Sequence, residues 1–486
     1  MTSMLSTASA PQLAPKPVLE AVNQPAAIRL MSLGLVWLTV ASGAVVFAEP
    51  APVDALTMAL ILALPVVGLV SMKPILIVLL SLWLIAGVSA LIASTQAFEF
   101  GRAVTHSAVS IYLYLAFFIL AAFIAKRPEQ HTRRIMNAYV CAAILASTTA
   151  IIGYFNLLPG SYELFTKFGR AAGTFKDPNV FGPFLVPPLL YTLHLMVHRP
   201  LHQAVIPAGI FLFLIFAVLL SFSRGAWMNL AISGVVYGFF TFATAPTNLQ
   251  RLKLILIASV GFVALIGVLV IAAQQPKISK LLSERAQVVQ SYDAGPEGRF
   301  GGQSKAMALT PLKPFGIGAL EFGERYHHEE AHNVYLTMML QTGWIGGIIF
   351  IAITLLTICS GFAHVIRRSA MQPMIIIAFS AFVGLAVQGL TIDIDHWRHL
   401  YLVMAILWGL IASNEAGIAL AARQQDKCPS NRRNDEEPWD YDAEGRRHQR
   451  IATILGPGHN TIANCESEPR RNRAHRPRRP QSDAYT

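Results

Sequence analysis

Charge is what this sequence has least of. Only 13% of its 486 residues are charged, against 54% that are hydrophobic. A soluble domain carries roughly 25% charged residues, so a chain this long with so few belongs mostly in lipid. Cysteine is scarce as well. Of the four, Cys141 and Cys359 fall inside apolar runs, and Cys428 and Cys465 fall in a polar tail. No pair is placed for an outward disulfide, and no CxxC metal signature occurs. Residues 1–28 lack the short apolar core and cleavage site of a removable signal peptide. No internal repeat of fixed period is visible. The net charge of +11 reads as topological, with no nucleic-acid partner implied.

What is abundant is long apolar runs. A helix needs about 20 apolar residues to span the hydrocarbon core. Twelve runs qualify: 30–48, 55–72, 74–94, 107–125, 135–157, 179–197, 203–221, 226–244, 253–273, 344–364, 372–390 and 399–415. Only Lys73 separates the second from the third, which predicts a tight hairpin. The sixth contains Pro183, Pro187 and Pro188, which predict a kink or break. The expected fold is an all-α polytopic membrane protein of about 12 transmembrane helices, with both termini cytoplasmic.

The positive-inside rule orients the chain. With the N-terminus inside, the short inner loops hold Lys73; Lys126, Arg127, Arg133 and Arg134; Arg199; Arg251 and Lys253; and Arg367 and Arg368. Only Glu129 opposes them, and the outer loop 49–54 has no basic residue. The exceptions are Arg102, Lys167, Arg170, Lys176, Arg224 and Arg398, which fall outside. An arginine at membrane depth costs several kcal/mol unless paired. Each alone fits snorkelling to headgroups; together they point to an outward cavity that takes an anion.

The segments 1–29, 30–416 and 417–486 read as a cytoplasmic N-terminal tail, the membrane domain and a disordered basic cytoplasmic tail. That last tail contains Arg470 to Arg479, which either touch anionic lipid or have no role. The largest gap in the body, 274–343 between the ninth and tenth runs, reads as a folded periplasmic loop capping the outer face.

One short motif in that loop has a known mechanism. His328-Glu329-Glu330-Ala331-His332 matches H-E-x-x-H, two zinc-binding histidines with a general-base glutamate. A catalytic zinc needs a third protein ligand. From Asn333 to Arg368 there is no acid and only His364, so Asp393, Asp395 or His396 would have to supply it.

A broader pattern joins three outward segments. The first runs from Arg170 through Gly173, Lys176, Asp177, Pro178 and Asn179; the second is Ser221-Phe222-Ser223-Arg224-Gly225. The third begins at Gly316-Ile317-Gly318, passes through His332-Asn333-Val334-Tyr335 and ends at Gln341-Thr342-Gly343-Trp344. In this order, at these places between spans, they resemble the O-antigen ligase family. That family includes O-antigen ligases, polymerases of O-antigen or exopolysaccharide repeat units, and some protein O-oligosaccharyltransferases. The resemblance covers roughly residues 165–400.

The resemblance implies a polytopic glycosyltransferase-like fold in the bacterial inner membrane. It implies transfer of a glycan from undecaprenyl diphosphate to an acceptor hydroxyl, on lipid A core or on another glycan, at the periplasmic face. It implies no cofactor and no metal; the acidic metal motif of many glycosyltransferases is not visible in the outer loops apart from Asp393-Ile394-Asp395. Arg170 and Arg224 match the family's motif arginines. Guanidinium binds phosphate through paired, charge-assisted bonds, so both are candidates for holding the diphosphate as charge develops on it. His332 matches the family's histidine, and an imidazole with a pKa near 6.5 suits a general base. Arg299, Arg325, Asn333, Tyr335 and Lys176 are weaker candidates for substrate contact, with capping or packing as their alternatives. Asn179 reads as a helix start. Direct displacement at the anomeric carbon would invert it. Two other classes compete: a lipid-linked glycan flippase, which should carry charge along a central path, and the H-E-x-x-H zinc protease. The nearly charge-free spans and the long loop favour the transferase.

Overall fold

The computed structural model describes residues 26–274 and 295–427, together with 439–441 and 447–449. The chain divides into two units, 1–421 and 422–486. In the second, the described residues after 427 form an antiparallel pair, Trp439–Tyr441 with Arg447–Gln449. The rest of the expected cytoplasmic tails, 1–25 and most of 428–486, lies outside the described residues.

The first unit is helical. Its elements are α1 (Ala26–Ser42), α2 (Pro52–Val66), α3 (Pro74–Ser94), α4 (Phe100–Lys126), α5 (Pro128–Tyr154) and the short α6 (Ser161–Phe165). Two two-residue strands come after it, β1 (Thr166–Lys167) and β2 (Arg170–Ala171), paired antiparallel. Next come α7 (Pro178–Phe184), α8 (Val186–His198), α9 (Leu201–Leu220), α10 (Arg224–Thr244) and α11 (Asn248–Ala273). After the undescribed stretch come α12 (Arg299–Leu309), α13 (Val334–Val365), α14 (Gln372–Gln388) and α15 (Arg398–Lys427).

Each of the twelve apolar runs falls on helix. Among the described residues, seven helical segments are long and apolar enough to cross a membrane: α3, α4, α5, α7–α8 together, α9, α10 and α13. The apolar helices α1, α2 and α14 are shorter. The outer surface of these helices is as apolar as the core. Val66, Leu201, Ile206 and Val235 are 81%, 79%, 76% and 71% exposed, which in water would form the kind of large apolar patch that soluble monomers avoid. Inside, Trp83 of α3 stacks on Tyr114 of α4 at 4.4 Å between ring centroids, and α3 packs along α13 while α10 packs along α14.

Three details differ from the sequence reading or refine it. The tight hairpin at Lys73 does not form. α2 stops at Val66, and residues 67–73 carry the chain to Pro74. Gly68, at φ +61°, places its N–H on Pro65 O, and Leu69 N reaches Leu64 O. This is a Schellman closure, which satisfies the last carbonyls and stops the helix early. The proline-rich run does break, at Leu185 between α7 and α8. The tenth run begins earlier than its hydropathy does. α13 starts at Val334, and a non-helical Gly343 (φ 72°, ψ −179°) separates its first two turns from the apolar length beyond.

That kink fixes the loop below it. Trp344 N donates to Pro314 O at 2.9 Å, and a Cβ on Gly343 would sit 2.8 Å from the same oxygen. The short leg Val334–Thr342 therefore turns away from the long one and carries the residues before it over the bundle end. Gly343→Ala should cost about 1–3 kcal/mol, since it combines an unfavourable φ with a backbone clash. Thermal unfolding in detergent checks this, and an unchanged midpoint would refute the kink.

Candidate functional site

The first motif folds around a buried arginine. Asp177 caps α7, its carboxylate accepting Asn179 N at 2.7 Å, and Pro178 takes the first helical position. Both choices suit a helix start, where one N–H needs an acceptor and one position needs none. Asn179 is thus a helix-start residue, as expected, but its side chain has a second task. Arg170 Nη2 donates to Asn179 Oδ1 at 2.8 Å, and Arg170 Nε donates to Ser221 O at 2.8 Å. Ser223 Oγ donates to the same Asn179 Oδ1 at 2.8 Å. The first two motifs are therefore one unit, with Arg170 only 6% exposed. The segment is braced from the α1–α2 loop, where Val46 N bonds Thr174 O at 2.9 Å and Thr174 Oγ1 bonds Ala44 O.

Arg224 opens α10, half-buried, directly after its cap Ser223, whose hydroxyl accepts Ala226 N at 3.2 Å. Phe222, at φ +44°, makes the sharp turn between α9 and α10. A cation at a helix N-terminus is unfavourable by itself and adds to the positive end of the helix. Together, side chain and backbone make a position suited to an anion.

The third motif reaches the same region through α14. Gln388 of α14 accepts Asn229 Nδ2 of α10 at 2.7 Å. The next residue, Gly389, accepts Val334 N at 2.8 Å. Gln303 of α12 donates to both His332 O (3.1 Å) and Leu390 O (3.2 Å). Arg224 and His332 thus hang from helices fastened to one turn. Asn333 caps α13, accepting Tyr335 N at 3.1 Å and Leu336 N at 3.4 Å. Tyr335 donates its hydroxyl to Ala386 O at 2.7 Å, which is a packing role.

His332 sits just before the cap at φ +50°. A non-glycine residue there is uncommon, and such strain concentrates at functional positions. Its Nε2 lies 3.2 Å from Glu329 Oε2, and its side chain is 26% exposed. Behind it stand three carboxyls. Asp393 accepts Thr337 Oγ1 at 2.6 Å and also takes the His332 backbone N–H. Burial, then the charge of Asp395, raises the pKa of Asp393. Burial raises Asp395 as well. Burial pushes Glu330 up to about 7, with Asp393 adding to it. Next to Asp395, His396 stacks on His106 at 3.7 Å.

The H-E-x-x-H match does not form the zinc-protease arrangement. That motif works because a helix puts its two histidines on one face. Here 327–333 is a loop without helical turns. His332 pairs with Glu329, whereas His328 Nδ1 faces Glu297 at 3.5 Å.

The anionic-cavity expectation also changes. Arg102 is paired with Glu99 (2.9 Å) and Glu324 (2.7 Å). Lys176 meets Glu49 at 3.3 Å, away from the Arg170 cluster. Arg398 grips Asp54 at 2.7 and 2.8 Å. Much of the positive charge expected on the outer side is therefore neutralised. Lys176 and Arg398 line a mostly apolar cavity of about 260 Å³ between α1, α4 and α15. Arg325 is drawn off to Glu321 (3.1 Å) and stacks over Phe98. Arg299 begins α12. Sequence reasoning missed Gln303, Thr337 and Gln388. It weighed Asp393 only as a metal ligand.

With this geometry, comparison with known proteins is specific. Residues 209–351 match the O-antigen ligase family. Over that segment the chain is similar to this family. The matched stretch contains Arg224, Arg299, Arg325 and His332 and excludes Arg170. A general O-oligosaccharyltransferase from Acinetobacter baylyi is 28% identical over 291 residues, covering 54% of this chain. The match spans about half of that relative, 48% of its length.

The Arg170–Asn179–Ser223 unit makes a direct prediction. Asn179→Ala removes an acceptor shared by two donors and should cost about 1–3 kcal/mol. Asn179→Asp keeps the acceptor and should restore most of it. Melting in detergent distinguishes the two; equal loss in both variants would show that the shared oxygen does not matter.

Proposed function

We propose that this protein transfers a polyprenyl-diphosphate-linked glycan to an acceptor hydroxyl at the outer face of the bacterial inner membrane. The observation that carries the reading is the joining of Arg170, Asn179, Ser221 and Ser223 into one buried unit beside Arg224, in a chain matching the O-antigen ligase family. In this reading α1, α2, α11, α14 and α15 complete a set of twelve spans, both termini are cytoplasmic, and the segment 274–343 is periplasmic.

The side chains account for the chemistry. Departure of a lipid diphosphate builds negative charge on phosphate oxygens. Arg170 is pre-oriented by Ser221 O and Asn179, and Arg224 stands at the positive end of α10; preorganised donors of this kind lower the barrier where charge develops. His332 takes the proton from the acceptor hydroxyl. Glu329 holds one ring nitrogen, Nε2, which leaves Nδ1 as the lone pair that accepts it. The C–O bond to the acceptor forms as the C–O bond to phosphate breaks, with inversion at the anomeric carbon. The cations supply the charge stabilisation, and the bond exchange itself needs no metal.

The acceptor is a lipid A core, a growing glycan or a protein hydroxyl. The relative's name, a general O-oligosaccharyltransferase, fits transfer to a hydroxyl and leaves all three open. Deletion followed by glycan analysis separates them. Long chains left on the carrier with no attached polysaccharide mean a ligase; single repeat units on the carrier mean a polymerase; loss of glycoprotein alone means a protein transferase. His332→Ala should lower transfer by about a hundredfold or more with normal membrane insertion. Full activity in that variant would remove the proposed base. A flippase predicts instead that donor accumulates on the cytoplasmic leaflet.

A further inference from the structure

His328 of the H-E-x-x-H match and its neighbour His327 belong to a different cluster. One ring nitrogen each of His327 and His328 and a carboxylate oxygen of Glu297 all lie within 4.8 Å of one another. Glu297 Oε2 is 3.9 Å from His327 Nε2 and 3.5 Å from His328 Nδ1. In a tetrahedral zinc site, nitrogen and oxygen ligands about 2.0–2.1 Å from the ion are roughly 3.3 Å apart. The three donors are thus near closure, needing only small side-chain movement.

His327 gives the independent observation. Its side chain is 1% exposed, and among the described residues its Nε2 has no hydrogen-bond partner. Its Nδ1 lies 3.3 Å from the carbonyl oxygen of Glu329. If Nδ1–H donates there, Nε2 carries a buried lone pair. The alternative tautomer, with the Glu329 N–H donating to Nδ1, buries an N–H that has no acceptor. Leaving such a donor unpaired costs about 1–3 kcal/mol. The first tautomer is the one found in metal-binding histidines, where a backbone carbonyl holds the far nitrogen and fixes the ring. The ring is also held by packing, stacked on Phe322 and set against Gly302 of α12. His328 is 55% and Glu297 77% exposed, so an ion enters from water and keeps water as a further ligand.

We propose that Glu297, His327 and His328 bind one divalent ion of the borderline class, Zn²⁺ being the representative. Two neutral imidazoles and a carboxylate suit that class better than Mg²⁺ or Ca²⁺, which prefer all-oxygen sites. The ion fastens the residues leading into α12 to the loop that ends at His332. It takes no part in bond making, and the site stands whether or not the glycan-transfer reading holds.

The test is metal counting on the full-length protein, purified in detergent with a histidine-free tag and stripped by chelator. Zn²⁺ alone is titrated by calorimetry, and Co²⁺ is used as a visible reporter of ligand geometry. Wild type should bind one equivalent more than His328→Ala and one more than Glu297→Gln. The Co²⁺ bands of a four- or five-coordinate site should be present in wild type and missing in both. His328 and Glu297 are exposed, so the variants should remain monodisperse, and elution profiles check this. Histidines in the tail are common to all three proteins and cancel in the difference. Equal stoichiometry and identical Co²⁺ spectra in wild type and variants would overturn the site and leave the glycan reading untouched.

Discussion

The end of α14 holds the rest of the site in place. Every helix leaves its last carbonyls without partners inside the helix, and in a low-dielectric bundle an unpaired carbonyl is costly. Here those groups are satisfied by other elements. Gly389 O takes the first N–H of α13, and Leu390 O takes the Gln303 amide of α12. One residue earlier, the Gln388 side chain takes Asn229 of α10. Ser233 then donates to Asn229 Oδ1 at 3.0 Å, so the contact between α10 and α14 is a buried polar chain rather than a greasy surface that slides. The helix carrying Arg224 and the helix preceded by His332 therefore cannot shift independently.

Charge is arranged with the same restraint. The chain has few charged residues, and outside its tails it pairs many of those it has. Arg102, Lys176 and Arg398 each face a carboxylate. Arg170, buried more deeply than any of these, is oriented by neutral oxygens of Ser221 and Asn179. Around His332 the partners are carboxyls. Glu329 faces its ring, Asp393 takes its backbone N–H, and burial raises the pKa of Glu330 to about 7.

How much of this was legible in the sequence depends on distance along the chain. Periodicity and hydropathy located every helix that carries an apolar run, because those signals are local. They misjudged the α2–α3 connection, because a Schellman closure depends on one glycine inside an otherwise apolar stretch. The three motifs were legible as an ordered set, and the first two proved to be in contact. The pairings were not legible. Asp54 and Arg398 are 344 positions apart, and Thr337 and Asp393 are 56 apart; nothing in either segment names the other. Tyr335 and Arg325 looked available from sequence because their partners, Ala386 O and Glu321 with Phe98, are set by packing.

The H-E-x-x-H match shows why spacing alone misleads. The spacing has meaning only on a helix, and the cap of α13, directly after this segment, keeps it from being one. Asn333 needs extended backbone (φ −150°, ψ 102°) to cap α13, and His332 turns left-handed to reach that position. The helix begins one residue beyond that cap. The cap that excludes a zinc-protease site is thus the same feature that lifts His332 out of regular structure, with its backbone N–H given to Asp393. Strain at this one residue, held by Asn333 on one side and Gln303 and Asp393 on the other, sets the imidazole at the bundle end. A more relaxed sequence would continue the helix and carry the ring around with it.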